Sequence, residues 1–200
     1  MMEFNGTFEI EGVTSEEVWL ALSDPILLRN AAPGCQVLHK VEGDTVDFAS
    51  LRDDTDASSE DLPTLPEADP EEIADRAFEA GDRYAALVEI SVGSVKPSFE
   101  SVVTIDEKSF PTMRASGEGN DPSSSFEMES WMTLEDTEDG VQITWGAEAD
   151  VFGRIAQMGQ RVVNPVAHRV ANQFFANVEA EISDIDTASD SLRDRIRNFI

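Results

Sequence analysis

Hydrophobic and polar residues alternate with period two through most of the chain before Gly153, and then change to a helical period. Phe4, Gly6, Phe8 and Ile10 read as a first strand, and Val37, His39 and Val41 share a face of a second, Gln36 to Val41. Tyr84, Ala86, Val88, Ile90 and Val92 share one face of a third, which Gly93-Ser94 turns into a fourth carrying Phe99, Ser101, Val103 and Ile105. Met113 and Ala115 mark a shorter strand from Thr112 to Gly117, followed by a loop to Ser125. Phe126, Met128, Ser130, Met132 and Leu134 alternate on the next strand. Asp139-Gly140 is a two-residue hairpin signal leading to Val141, Ile143, Trp145, Ala147 and Ala149. The pattern predicts about seven strands, mostly joined as an antiparallel meander.

Helical signals occur in two places. Thr14-Ser15-Glu16-Glu17 fits a capping box at the start of a short helix whose apolar side is Val18, Trp19 and Leu22. Asp24-Pro25 starts a second short helix, which Pro33-Gly34 stops. From Gly153 to Ile182 apolar residues recur at Ile155, Met158, Val162, Val166, Val170, Phe174 and Val178, the spacing of one face of a long helix. Pro165 interrupts that pattern without shifting its phase, which predicts a kink near Arg161–Pro165 within one helix. A curved sheet with one apolar face needs a cover, and this helix is the element long enough to supply it. Such a cover leaves room for an apolar cavity where side chains do not fill the gap.

Between Gly43 and Asp82 the alternation disappears. This stretch is rich in acid, serine and proline and reads as an insertion, largely disordered to about Asp69, with a short helix from Pro70 to Ala80. The domain plan is therefore one domain over residues 1–183 with an insertion at 43–82, and an amphipathic tail over 184–200. The formal charge of −27 reflects 41 acids against 14 Lys and Arg. It suits a surface adapted to high salt, and it argues against nucleic-acid binding, which needs a basic patch. Cys35 is the single cysteine, so no intramolecular disulfide or cysteine metal cluster is expected. Neither a signal-peptide pattern nor an apolar run of transmembrane length occurs, which predicts a cytoplasmic protein, at most peripheral on the inner face of the cell membrane.

The order of strand, two short helices, meander and long C-terminal helix resembles the α+β helix-grip fold of the START-like (Bet v1-like, SRPBCC) superfamily. Val18-Trp19-Leu20-Ala21-Leu22-Ser23-Asp24-Pro25, Ala32-Pro33-Gly34-Cys35, Val92-Gly93-Ser94-Val95 and the helix start Gly153 to Arg161 resemble the family of the CoxG subunit of carbon monoxide dehydrogenase, as does Ala171-Asn172-Gln173-Phe174-Phe175. The resemblance covers Phe4 to Val41 and Arg83 to Ile182; the acidic insertion and Pro165 depart from it. It implies a non-catalytic accessory protein that holds a lipid or isoprenoid quinone and links a molybdenum hydroxylase of the carbon monoxide dehydrogenase type to the membrane.

Given that fold, the residues expected around the cavity are Trp19, Val88, Ile90, Phe99, Val103, Met128, Met132, Trp145, Ile155, Met158 and Val162, where methionine suits a flexible apolar ligand. A second expectation concerns the tail. Leu192, Ile196, Phe199 and Ile200 recur at helical spacing between Arg193, Arg195 and Arg197, which reads as an element docking on a membrane or partner. Two other readings stay open: a structural adaptor with a filled core, and an enzyme of the cyclase or hydrolase kind using Tyr84, Ser101 and Ser130. His39 and His168 have no metal-ligand spacing, and no phosphate-binding or dinucleotide motif appears, so no cofactor is expected.

Overall fold

A computed structural model describes residues 1–53, 62–187 and 190–200. Its strands are β1 (Met2–Glu11), β2 (Cys35–Val41), β3 (Arg83–Glu89), β4 (Ser98–Ser109), β5 (Thr112–Asp121), β6 (Ser124–Asp136) and β7 (Gly140–Gly153). They form one antiparallel sheet in the order β1-β7-β6-β5-β4-β3-β2. The predicted meander runs from β2 to β7, and β1 closes against β7 with Phe4 opposite Ala147 and Phe8 opposite Ile143. Strand β5 continues through Gly117 and Gly119 to pair with Phe126 and Ser125, so most of the expected loop between Gly117 and Ser125 is strand.

Two short helices, α1 (Ser15–Leu22) and α2 (Pro25–Ala31), fill the corner between β1 and β2. The capping box forms as read: Thr14 N–H donates to Glu17 at 2.9 Å and Glu17 N–H to the Thr14 hydroxyl at 3.4 Å. Asp24 caps α2 by accepting from Ile26 N–H at 2.9 Å. Gly34 follows at φ +75°, with its Cα against the Glu89 carbonyl so closely that a Cβ would lie 1.8 Å from that oxygen. Only glycine lets the chain turn there into β2.

The insertion carries α3 (Phe48–Asp53) and α4 (Pro70–Arg76); its residues 54–61 lie outside the described residues. Its second half is not a solvated loop. Leu65, Ala68, Ile73 and Phe78 are buried in the main core, because these few apolar residues cover α1. Arg76 fastens the segment by donating to both carboxylate oxygens of the fully buried Asp24, at 2.9 and 2.6 Å.

The long helical stripe splits into α5 (Arg154–Met158) and α6 (Gln160–Ile182). The break is at Gly159, at φ +74°, rather than at the predicted kink. Pro165 is the sixth residue of α6, past the first four N–H groups, so it removes one backbone bond, to the Arg161 carbonyl, from a helix that nevertheless continues through it. A 3-10 turn (Ser183–Thr187) leads to α7 (Asp190–Arg197). No described helix is long and apolar enough to cross a membrane.

Candidate ligand cavity

The concave face of the sheet and the inner face of α6 do not meet everywhere. Between them lies a cavity of about 510 Å³, open to the outside. The floor comes from alternate residues of the strands: Val88 within β3 and Ile90 just after it, Phe99 on β4, Met113 and Ala115 on β5, Met128 and Met132 on β6, and Trp145 and Ala149 on β7. The roof comes from Val163, Val166, Ala167, Val170, Ala171 and Phe174 of α6, with Ile155 of α5 at one end. Small residues make the space. Ala115, Ala147 and Ala149 stand where bulkier strand residues would reach the helix, and Ala167 and Ala171 face them from above.

Seven of the expected residues line this cavity: Val88, Ile90, Phe99, Met128, Met132, Trp145 and Ile155. Four do not. Trp19 belongs to the core beneath α1 and meets Phe110 edge-on, with ring centroids 5.5 Å apart. Val103 lies on the concave side of β4 in register with Tyr84 and next to Gly117, outside the lining. Met158 and Val162 point to the turn after β3, where a Cβ on Gly93 would lie 3.8 Å from each. The reason is the Gly159 break. It separates Met158 from the phase of α6, and within α6 the inward face carries Val163, Val166, Ala167 and Val170, leaving Val162 on its flank. Sequence reading missed the α6 alanines because it followed large apolar residues; the alanines recurring between them were the available signal.

The lining is mostly apolar, with the buried Trp145 indole N–H left without a hydrogen-bond partner among the described residues. Among the described residues that form it, Ser130 carries the only hydroxyl, and that group donates to the Ala115 carbonyl at 3.1 Å. Arg114 borders the cavity but pairs with Glu107 at 3.5 Å. Tyr84 and Ser101 are buried outside the lining, and burial pushes the Tyr84 hydroxyl up to about 12. The three polar groups of the enzyme reading thus do not converge. Trp145 is held over Gly6 and meets the His168 ring edge-on at 5.7 Å. Cys35 stands at the start of β2; burial pushes its thiol up to about 11, partly offset by the Arg29 charge and the S–H bond to the Val37 carbonyl. Among the described residues no group of His, Cys, Asp and Glu is placed to hold a metal ion.

The tail turns inward. Ile196 is fully buried and Leu192 half-buried against the core, with α7 packed on α1 and α4. Arg193 pairs with Glu17 at 3.0 Å and donates to the Gly12 carbonyl, Arg195 pairs with Asp69, and Arg197 with Asp194. The expectation of a free docking element is corrected for Leu192, Arg193, Arg195 and Ile196, because buried Glu17 and the α1–α4 groove capture them first. Phe199 and Ile200 remain exposed.

The family of the CoxG subunit of carbon monoxide dehydrogenase matches residues 76–183, just over half of the chain. Among solved structures, a conserved protein from Geobacillus kaustophilus is 22% identical, with a TM-score of 0.65 over 92% of this chain and 96% of the other. The Zhui aromatase/cyclase from Streptomyces sp. R1128 is 10% identical, with a TM-score of 0.53 over 92% and 94%. Ara h 8.0201 is 13% identical, with a TM-score of 0.52 over 90% and 95%. No curated protein matches the sequence. These likenesses fix the fold as helix-grip, of the START-like and Bet v1-like kind.

Proposed function

The chain belongs to the CoxG family of carbon monoxide dehydrogenase subunits, and on that premise we propose that it is a non-catalytic accessory protein that carries a hydrophobic molecule in the grip cavity. The observation that supports this most is the lining itself: about 510 Å³ walled by methionine, aromatic and aliphatic side chains, with its one hydroxyl already bonded within the protein. Exposed to water, such a surface is costly, and an apolar ligand removes that cost. The volume suits a lipid chain or an isoprenoid quinone, and Met113, Met128 and Met132 adapt to a flexible one.

Family membership supplies the partner. The protein associates with subunits of a carbon monoxide dehydrogenase-type molybdenum hydroxylase and connects that enzyme to the membrane. A carrier needs no acid–base pair at the ligand, and the separation of Tyr84, Ser101 and Ser130 favours this over the cyclase or hydrolase reading. The test is organic extraction of protein purified from its own host at high salt, followed by mass spectrometry. A stoichiometric lipid or isoprenoid quinone is expected. Protein that yields none, and that binds none when offered it, contradicts the proposal.

A further inference from the structure

In a chain with 41 acids, the segments Ile90 to Phe99 and Val151 to Val178 contain none. The fold brings both to the same end of the molecule. The turn after β3 rests on α5 and α6 through Gly93, Met158 and Val162, and Arg169 donates to the Ser91 carbonyl at 2.9 Å. Arg154 N–H bonds the Ser123 carbonyl, which adds the β5–β6 turn to this end. The same residues frame one end of the cavity, since Ile90, Val92, Val151, Ile155 and Val163 line it.

The exposed cations here are Lys96, Arg154, Arg161 and Arg169, with Phe152 at 52% exposure beside them. Among the described residues none of these four has a carboxylate within ion-pairing distance; elsewhere Arg29 and Lys108 share this, whereas Lys40, Arg52, Arg76, Arg83, Arg114, Arg193, Arg195 and Arg197 are all paired. Asp121 is the carboxylate at this end, and it is engaged by the N–H groups of Ser98 and Ser123 and the Ser123 hydroxyl. The flanking acids are engaged or lie outside the two segments: Asp150 pairs with the N-terminal amine, Glu100 with Arg52, and Glu89 precedes Ile90. On the opposite, convex face the strands present Glu118, Glu127, Glu129, Glu148 and Asp150. The molecule is therefore electrically polar, with four cations lacking a carboxylate partner gathered at one end of an apolar cavity.

We infer that this end docks on an anionic bilayer surface, with Lys96, Arg154 and Arg161 on lipid headgroups and Phe152 in the interface. This rests on the reading of the cavity as a carrier site and names the surface from which it is filled. A bilayer is favoured over an acidic protein because the cations stand at one end of an apolar cavity and beside an exposed aromatic ring, the pairing that suits a headgroup–acyl boundary. The acidic convex face is repelled by the same surface, which fixes the orientation.

The experiment is co-sedimentation with vesicles of phosphatidylcholine alone or with one-third phosphatidylglycerol, at about 0.1 M and 1 M salt. Binding is expected to the phosphatidylglycerol vesicles at low salt, and weaker binding at high salt, where the charge contribution is screened and the apolar contact of Phe152 remains. Arg161→Glu and Lys96→Glu should each weaken it about tenfold or more, while Arg197→Glu, the same charge change on α7, should leave it unchanged. Circular dichroism checks that each variant is folded. Uptake of a short-chain isoprenoid quinone without vesicles is measured in parallel. Quinone uptake with vesicle binding that ignores both rim reversals overturns this inference alone. Rim-dependent vesicle binding without quinone uptake supports it and contradicts the carrier reading. Loss in Arg197→Glu but not in Arg161→Glu overturns it in favour of the tail.

Discussion

Replacing Arg76 by alanine tests whether residues 62–82 belong to the body of the protein. In the native state the guanidinium makes two bonds to Asp24, at 2.9 and 2.6 Å, and a third to the Pro63 carbonyl at 2.7 Å. Asp24 has no exposed side-chain surface, and Arg76 only 20%. Removing the arginine leaves a buried carboxylate that keeps the Ile26 N–H as a donor and loses its counter-charge. Breaking one side of a buried pair costs about 3–5 kcal/mol. The channel vacated by Arg76 admits some water, so we expect the low end, about 3 kcal/mol, or a fall in Tm of about 6–12 °C for a domain of this size. Asp24→Asn keeps a competent helix cap and should cost less, and the double variant should fall short of the sum by about 1–3 kcal/mol. Urea unfolding of the four proteins at fixed salt measures this cycle. A loss below about 1 kcal/mol for Arg76→Ala, the range of an exposed pair, would show that the segment is not clamped and refute the reasoning.

Three further outcomes follow from charge and burial. Glu3, Glu148 and Glu129 stand in direct cross-strand register on the convex face, so Glu148→Gln should raise Tm at about 0.1 M salt and have little effect at about 2 M; an equal effect at both would contradict the repulsion argument. Burial raises the carboxyl of Glu17 above its ordinary value, against the opposing pull of the Thr14 N–H and Arg193. The native state then binds more protons than the unfolded chain just above the ordinary Glu range, so Glu17 costs stability as pH rises through that window. The stability of Glu17→Gln relative to wild type should therefore climb with pH there, and a fall would mean that the Arg193 pair outweighs burial. With its thiol near 11, Cys35 has a thiolate fraction of about one in a thousand at pH 8; an aromatic disulfide reagent should modify it rapidly only after unfolding in urea, and fast reaction of the native protein would exclude that environment.

The fold was largely legible because its signals are local. Period-two alternation located all seven strands, β1, β2 and β6 to within two residues at each end, and the capping residues Thr14 and Asp24 started the two short helices where expected. The misreadings came from choices that local pattern does not decide. Gly159 sits inside an apolar stripe that continues past it, so the stripe gave no sign that a positive φ would break the helix and turn Met158 away from the cavity. The insertion looks too polar to order itself, and its second half is ordered by contacts to distant residues: Leu65 and Ile73 on the core, Arg76 on Asp24. The tail resembles a free amphipathic helix because its partner, the buried Glu17, lies far away in the chain. For the cavity, strand alternation picked out the floor, whereas the roof depends on small residues whose meaning appears only when the helix lies over the sheet.

The central claim is that the space between sheet and α6 binds an apolar molecule, and filling that space tests it most directly. Ala147 and Ala171 line it from opposite sides. Equilibrium dialysis of a short-chain isoprenoid quinone against wild type, Ala147→Phe and Ala171→Phe, with thermal unfolding as the control for folding, gives the measurement. The account predicts saturable one-to-one binding by wild type and at least a tenfold weaker Kd in each folded variant, about 1.4 kcal/mol or more. Equal binding by all three proteins, or none by wild type, would contradict it.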